Sequence, residues 1–240
     1  MKVRTKGWPI AVLVALLSAG CATQPPAPDF QALVAGPDRS DADRAADVRR
    51  KPLQLLEFYD VRPGMQVLDI SAGGGHNTEL LARAVGPSGR VYAQNAAAGR
   101  LNARMQKPVM KSVVPVTRGF DDPVPPEARN LDLVTFNFNY HDMVHMGVDR
   151  ARMNRAVFDA LRPGGSYVIA DHSGRPGTGA TETKTLHRIE EAVVRREVEA
   201  AGFRFVAEGG FLRNPQDPRD ASVFKPKQPN DEFVLKFVKP

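Results

Sequence analysis

Two stretches of this chain carry residues whose types and order suit chemistry. In VLDISAGGGHN, Val67–Asn77, an apolar run closes on Asp69 and passes through Gly73, Gly74 and Gly75 into a helical pattern. Glycine tolerates positive φ and lets a ligand approach the backbone, while N–H groups at a helix start attract polar groups. That is the chemistry of a nucleotide-like ligand held at the carboxyl edge of a sheet, although a tight turn needs the same glycines without any ligand. In NFNYHDM, Asn137–Met143, an amide pair, a phenol, an imidazole and a carboxylate follow another apolar run. His141 and Asp142 suit proton transfer, and they equally suit a cap that bonds loop backbone. The segment HDMVH has two histidines four apart with an acid after the first, a zinc-protease spacing. That geometry needs a helix, and a strand has only just ended here, so no metal is expected.

These residues are placed by alternating periods. VLDI, RVYAQN, SVVPVT, LDLVTFNF and SYVIAD read as short strands, and HNTELLARAV, AAAGRLNARM and DRARMNRAVFDAL as helices between them. Such alternation specifies βαβ units and a parallel sheet covered on both faces. A long amphipathic helix is expected over ETKTLHRIEEAVVRREVEAAGF, with His187 and Arg188 on it facing solvent or packing on the sheet, and two closing strands follow in RFVAEGGFL and DEFVLKFVKP. Ahead of the sheet, SDADRAADVRR and PLQLLEFY read as two helices, opened by a Ser or Asp cap and by Pro52, that flank or lid the core. No internal repeat or second domain is evident.

The 240 residues, 42% hydrophobic and 25% charged, suffice for one globular core. Half of the formal charge of +6 lies on Lys2, Arg4 and Lys6, and the rest is scattered, which argues against nucleic acid as a partner. MKVRTKG followed by WPIAVLVALL and SAGC has the layout of a secretory signal over residues 1–20, too short to span a membrane. LLSAGC is similar to a bacterial lipobox, so Cys21, the single cysteine, is expected to be lipidated and to hold the chain at the periplasmic side of a membrane; the plain alternative is a small residue near a cleavage site. Residues 21–32 then form a Pro-rich spacer, and the folded domain covers 33–240.

VRPGMQVLDISAGGGHNTELLARAVGPSGRVYAQN with LRPGGSYVIADH downstream resembles the class I S-adenosylmethionine-dependent methyltransferases over Leu53–Pro240, and the YHD and HRI segments resemble a secreted subgroup of them. The resemblance implies a Rossmann-like, doubly wound, mostly parallel seven-stranded sheet with an antiparallel C-terminal strand. It implies S-adenosylmethionine as cofactor, with Asp69 toward its amino-acid part, Ser71, Gly73 and Gly75 along the loop, Asn95 at the ribose hydroxyls, and Phe120 and Asp121 beside the adenine. It departs from the family pattern twice: Ser71 replaces the first loop glycine and Asn95 a ribose-binding acid. An amide in place of a carboxylate costs on the order of 1–2 kcal/mol of binding.

On this reading His141 is the base that removes an acceptor's proton, with Asp142 and Tyr140 beside it, and Asn139 and His172 line the acceptor pocket. The acceptor is expected to be a small molecule or a cell-envelope component. A charged sulfonium made in the cytoplasm does not cross a bilayer unaided, which keeps a second function open: an inactive lipoprotein of the same fold that binds a small metabolite or serves as an envelope scaffold.

Overall fold

The computed structural model describes residues 1–2, 25–224 and 226–240, so Cys21 and most of the expected signal segment lie outside the described residues. Each apolar run becomes a strand: β1 (Gln66–Ile70), β2 (Arg90–Asn95), β3 (Val113–Thr117), β4 (Leu131–Asn137), β5 (Leu161–His172), β6 (Arg204–Glu208) and β7 (Glu232–Val238). They form one sheet in the order β3-β2-β1-β4-β5-β7-β6. The first five are parallel, and β7 runs antiparallel between β5 and β6. Pro115 is tolerated because β3 is an edge strand. The order turns back across β1 and β4, and ligands of open parallel sheets lie where their carboxyl ends diverge.

Both faces of the sheet are buried, which is why its strands are continuously apolar. Leu80, Leu81 and Val85 of α4 (His76–Val85) pack on one face with Leu56 and Tyr59 of α3 (Pro52–Tyr59). Met153 and Val157 of α6 (Arg150–Ala160) and Val194 and Val198 of α7 (Glu191–Ala200) cover the other. Short α1 (Phe30–Val34) docks Phe30 on the first of these layers. α2 (Asp41–Arg50) opens on a capping box between Ser40 and Asp43 and lies over the glycine turn.

Two expected helices differ. Ala96–Met105 forms turns and a single 3-10 turn at Arg104–Gln106, because Gly99 has φ +89° and Arg104 is drawn to Asp43 and Glu79. The long C-terminal helix shrinks to α7. Upstream of it, Thr178, Thr181 and Thr183 bond backbone carbonyls three residues back, and His187 sits at φ +56°. Arg188, expected on a helix, is instead buried against Asp217, Asn230 and the carbonyl of Ser173. Ile189 pairs with Ser173 as an extension of the sheet. The energy of burying that guanidinium with its partners outweighs the helical periodicity of the segment.

Candidate active site

Asp69 lies buried one residue before the end of β1, its carboxylate accepting from Thr78 Oγ1 at 2.6 Å, Thr135 Oγ1 at 2.8 Å and Asn77 Nδ2 at 2.9 Å. Burial pushes its pKa up, and these donors oppose the rise. The chain then turns at Ser71, whose φ of +55° shows why glycine is the usual residue there. Ser71 Oγ pairs with Asn139 Oδ1 at 2.7 Å, which joins the loop to the end of β4. Gly73, at φ +57°, leaves open space in front of the backbone. Gly75 serves packing: a Cβ there would come within 2.7 Å of Leu101 Cδ2 and 2.9 Å of Arg104 Cδ.

A cleft of about 380 Å³ lies between this loop and α2, bounded by Asp69, Ser71, Gly73, Arg50, Arg104 and Asn137 among others. Two of its groups are unspent. Arg50 makes no ion pair or side-chain hydrogen bond among the described residues, and burial followed by repulsion from Arg49 lowers its pKa. Asn137 donates to Tyr59 Oη at 2.8 Å, while its own Oδ1 is buried without a partner among the described residues. A cation without an anion and an acceptor without a donor, beside an open glycine loop, fit the carboxylate and ammonium of an amino acid. The amino-acid part of S-adenosylmethionine meets that requirement.

Asn95 is turned to the loop. Its Oδ1 accepts from the N–H of Gly73 at 2.8 Å and its Nδ2 donates to the carbonyl of Gly73 at 3.2 Å. An amide can do both and a carboxylate cannot donate, so Asn95 acts here as a clasp and does not border the cleft. Phe120 stacks on Phe136 with centroids 6.5 Å apart, and Asp121 pairs with Arg152 at 3.1 Å; neither borders the cleft. Arg50 and Arg104 are cleft residues that carried no motif, whereas Asn137 lies in the NFNYHDM stretch. Arg50 carried no signal beyond its place at the end of a flanking helix.

The second polar group lies beyond Asn139. His141 is 2% exposed; its backbone N–H and its Nδ1 both meet Asp171, at 2.7 Å each. Burial alone would lower its pKa, but Asp171, helped by Asp142, raises it to about 10. A ring that keeps its proton to that pH cannot accept one near neutrality, so the free-imidazole role expected of His141 requires that Nε2 first be relieved of it. Burial raises Asp142, and His141 and His187 outweigh it to leave the carboxyl below its ordinary value. Tyr140 is wholly buried, bonded to Glu197 and Asn154, and serves the core more than the cleft. His172 contacts Glu232 at 3.0 Å and tilts against His141.

HDMVH is helical, contrary to the expectation from the strand before it. Asp142–His145 is a one-turn helix, α5, which brings His145 Nε2 to 3.6 Å from Asp142 Oδ1. His187, from outside any helix, comes to 3.1 Å from the same oxygen.

A seven-stranded sheet of this order, with a glycine turn after β1 and a cleft at its carboxyl edge, defines the class I S-adenosylmethionine-dependent methyltransferase fold. The family model for protein-L-isoaspartate (D-aspartate) O-methyltransferase matches residues 48–113. The ubiquinone/menaquinone biosynthesis C-methyltransferase UbiE of Burkholderia multivorans is 32% identical over 161 residues, 66% of this chain and 65% of that protein. Its counterpart in Cupriavidus pinatubonensis is 29% identical over 152 residues, 62% and 61%. The chain thus spans just under two thirds of these relatives. Among solved structures, a SAM-dependent methyltransferase from Aquifex aeolicus has TM-score 0.60 at 18% identity, covering 84% of this chain and all of that one. The cyclase SpnF has TM-score 0.60 at 16% identity, covering 83% and 81%. The chain thus has the fold of the class I S-adenosylmethionine-dependent methyltransferases.

Proposed function

We propose that the protein transfers a methyl group from S-adenosylmethionine to a small-molecule or cell-envelope acceptor, and that it does so as an exported lipoprotein tethered through Cys21. The observation that carries the enzymatic part is the pair of unspent groups in the cleft, Arg50 and Asn137 Oδ1, beside the glycine loop. Arg50 would hold the cofactor's carboxylate, Asn137 would accept from its ammonium, and the Asn95 clasp would keep the Gly73 backbone in place. When bound, S-adenosylmethionine supplies an electrophilic methyl group. The acceptor would enter from the side of Ser71, Asn139 and Asp142, since that chain of polar groups leads from the cleft to His141.

Calorimetric titration with S-adenosylmethionine and S-adenosylhomocysteine tests this directly. Saturable binding of both at one site supports the reading, and a folded protein that binds neither ends it. A second reading, a metabolite-binding or scaffold lipoprotein, is favoured by one feature: Asn95 is spent on the loop and offers the cleft no ribose acceptor. Binding of other zwitterionic metabolites in place of S-adenosylmethionine would select it.

A further inference from the structure

Four of the chain's five histidines, His141, His145, His172 and His187, meet at one place, although they come from three separate segments. At its centre is one oxygen, Asp142 Oδ1. His141 Nε2 lies 3.0 Å from it and His187 Nδ1 3.1 Å, and the three ligand atoms lie within 4.8 Å of one another. Four donors around a zinc ion at bond lengths of about 2.0–2.1 Å stand roughly 3.3 Å apart, close to the two spacings from Asp142 Oδ1, and the two imidazole nitrogens lie within 4.8 Å of each other.

The surroundings prepare each donor. Asp171 accepts from His141 Nδ1, which makes Nδ1 the N–H end and turns Nε2 toward Asp142. That Nε2 is buried and, despite its 3.0 Å distance to the carboxylate, is aligned with no hydrogen-bond partner among the described residues. A carboxylate behind a ligating imidazole is the usual outer support of a metal site. The other oxygen of Asp142 is engaged by Asn139 Nδ2, which leaves Oδ1 for the centre. His187 is held in a left-handed backbone conformation, outside the helix its sequence suggests, and the exposed ring of Phe224 packs on it edge-on at 4.6 Å.

We propose that His141 Nε2, Asp142 Oδ1 and His187 Nδ1 bind a divalent first-row transition metal of the zinc or ferrous class, with a position left open for an outside oxygen. Two imidazoles and one carboxylate select such ions over magnesium or calcium, which take oxygen ligands. His145 is the nearest further donor. The site lies one side chain, Asn139, from the Ser71 loop of the cleft, so a bound ion would face an acceptor there. Metal binding itself stands independently of the methyl-transfer reading.

The test uses the full, tag-free chain stripped with a chelator and titrated with Co²⁺. The expected result is visible ligand-field absorption that saturates at one equivalent, is displaced by Zn²⁺, and is untouched by excess Mg²⁺. His187→Ala and Asp142→Asn should each weaken cobalt binding by about a hundredfold or more, and Asp171→Asn by about ten- to a hundredfold through its loss of support for His141. His76→Ala should bind as the native chain does, because His76 is paired with Asp47 outside the cluster. Circular dichroism checks that each variant is folded, and the half-exposed His187 carries the test if Asp142→Asn does not fold. Absence of saturable binding by the folded native chain, equal binding by His187→Ala, or displacement by Mg²⁺ as readily as by Zn²⁺ would overturn the proposal.

Discussion

Arg50 and Asn95 border the same glycine loop with opposite consequences. Arg50 makes no ion pair or side-chain hydrogen bond among the described residues, only a cation–π approach to Phe138 at 5.8 Å, so Arg50→Met removes little that the fold uses. A charge-assisted bond to a carboxylate is worth about 1.5–3 kcal/mol, so calorimetry should show S-adenosylmethionine binding weakened about tenfold or more, with an unchanged melting temperature. Asn95 is internal. Asn95→Asp would lose the bond to the Gly73 carbonyl and place a carboxylate beside it, costing about 1 kcal/mol in stability and bringing no gain in affinity for S-adenosylmethionine. A lower melting temperature and faster amide exchange at Gly73 are expected. Tighter cofactor binding would instead mean that residue 95 reads the ribose. Sequence pattern located this loop and misjudged the direction of the amide, because a side chain's direction is set by what it can bond across the fold.

At the level of elements, α4 is tied to the segments around it by charge. Glu79 is wholly buried and meets Arg83 at 2.7 Å, Lys107 at 2.9 Å and Arg104, which also bonds the carbonyl of Gly74 at 2.7 Å and Asp43 of α2 at 2.7 Å. Burial raises the carboxyl of Glu79, and the three cations outweigh it, leaving the pKa depressed; Asp43 is depressed in the same way. A carboxylate depressed in the folded state contributes stability above its unfolded pKa and loses it as pH falls through the folded value. Melting temperature should therefore hold near neutrality and fall progressively below about pH 4. Glu79→Gln should cost about 3 kcal/mol at pH 7 by unpairing three half-buried cations from a buried carboxylate, and should flatten that acid dependence. Thermal melts of both proteins between pH 3 and 7 give the comparison. α7 follows the apolar period of the C-terminal half of the expected helix, while the residues before it follow Arg188 into the interior.

For the whole molecule, the question is where it works. None of the helices among the described residues is long and apolar enough to cross a membrane. If Cys21 is the anchor proposed, Cys21→Ser should move the protein from the membrane fraction to the soluble fraction, or leave it unprocessed with residues 1–20 attached. Fractionation followed by mass determination of the N-terminus checks this. Native protein found in the cytoplasm with that segment intact would place it beside the supply of S-adenosylmethionine and remove the need for an anchor.

The sequence by itself determined the strands and most of the helices between them, the expected helix between β2 and β3 giving way to turns. β2 falls on RVYAQN and α4 on HNTELLARAV as the periodicity requires, because burial on one or both faces imprints a repeat on neighbouring residues. It also marked Asp69 and the glycine turn, whose backbone demands are local. Only the tertiary structure decided how polar groups meet. Arg50 and Asn137 approach each other through the closure of α2 over the sheet edge, and His187 reaches Asp142 from 45 residues away by leaving the helical pattern. A buried polar group is fixed by whichever partner desolvation leaves within reach, and that partner is chosen by the fold, with no period in the chain to announce it.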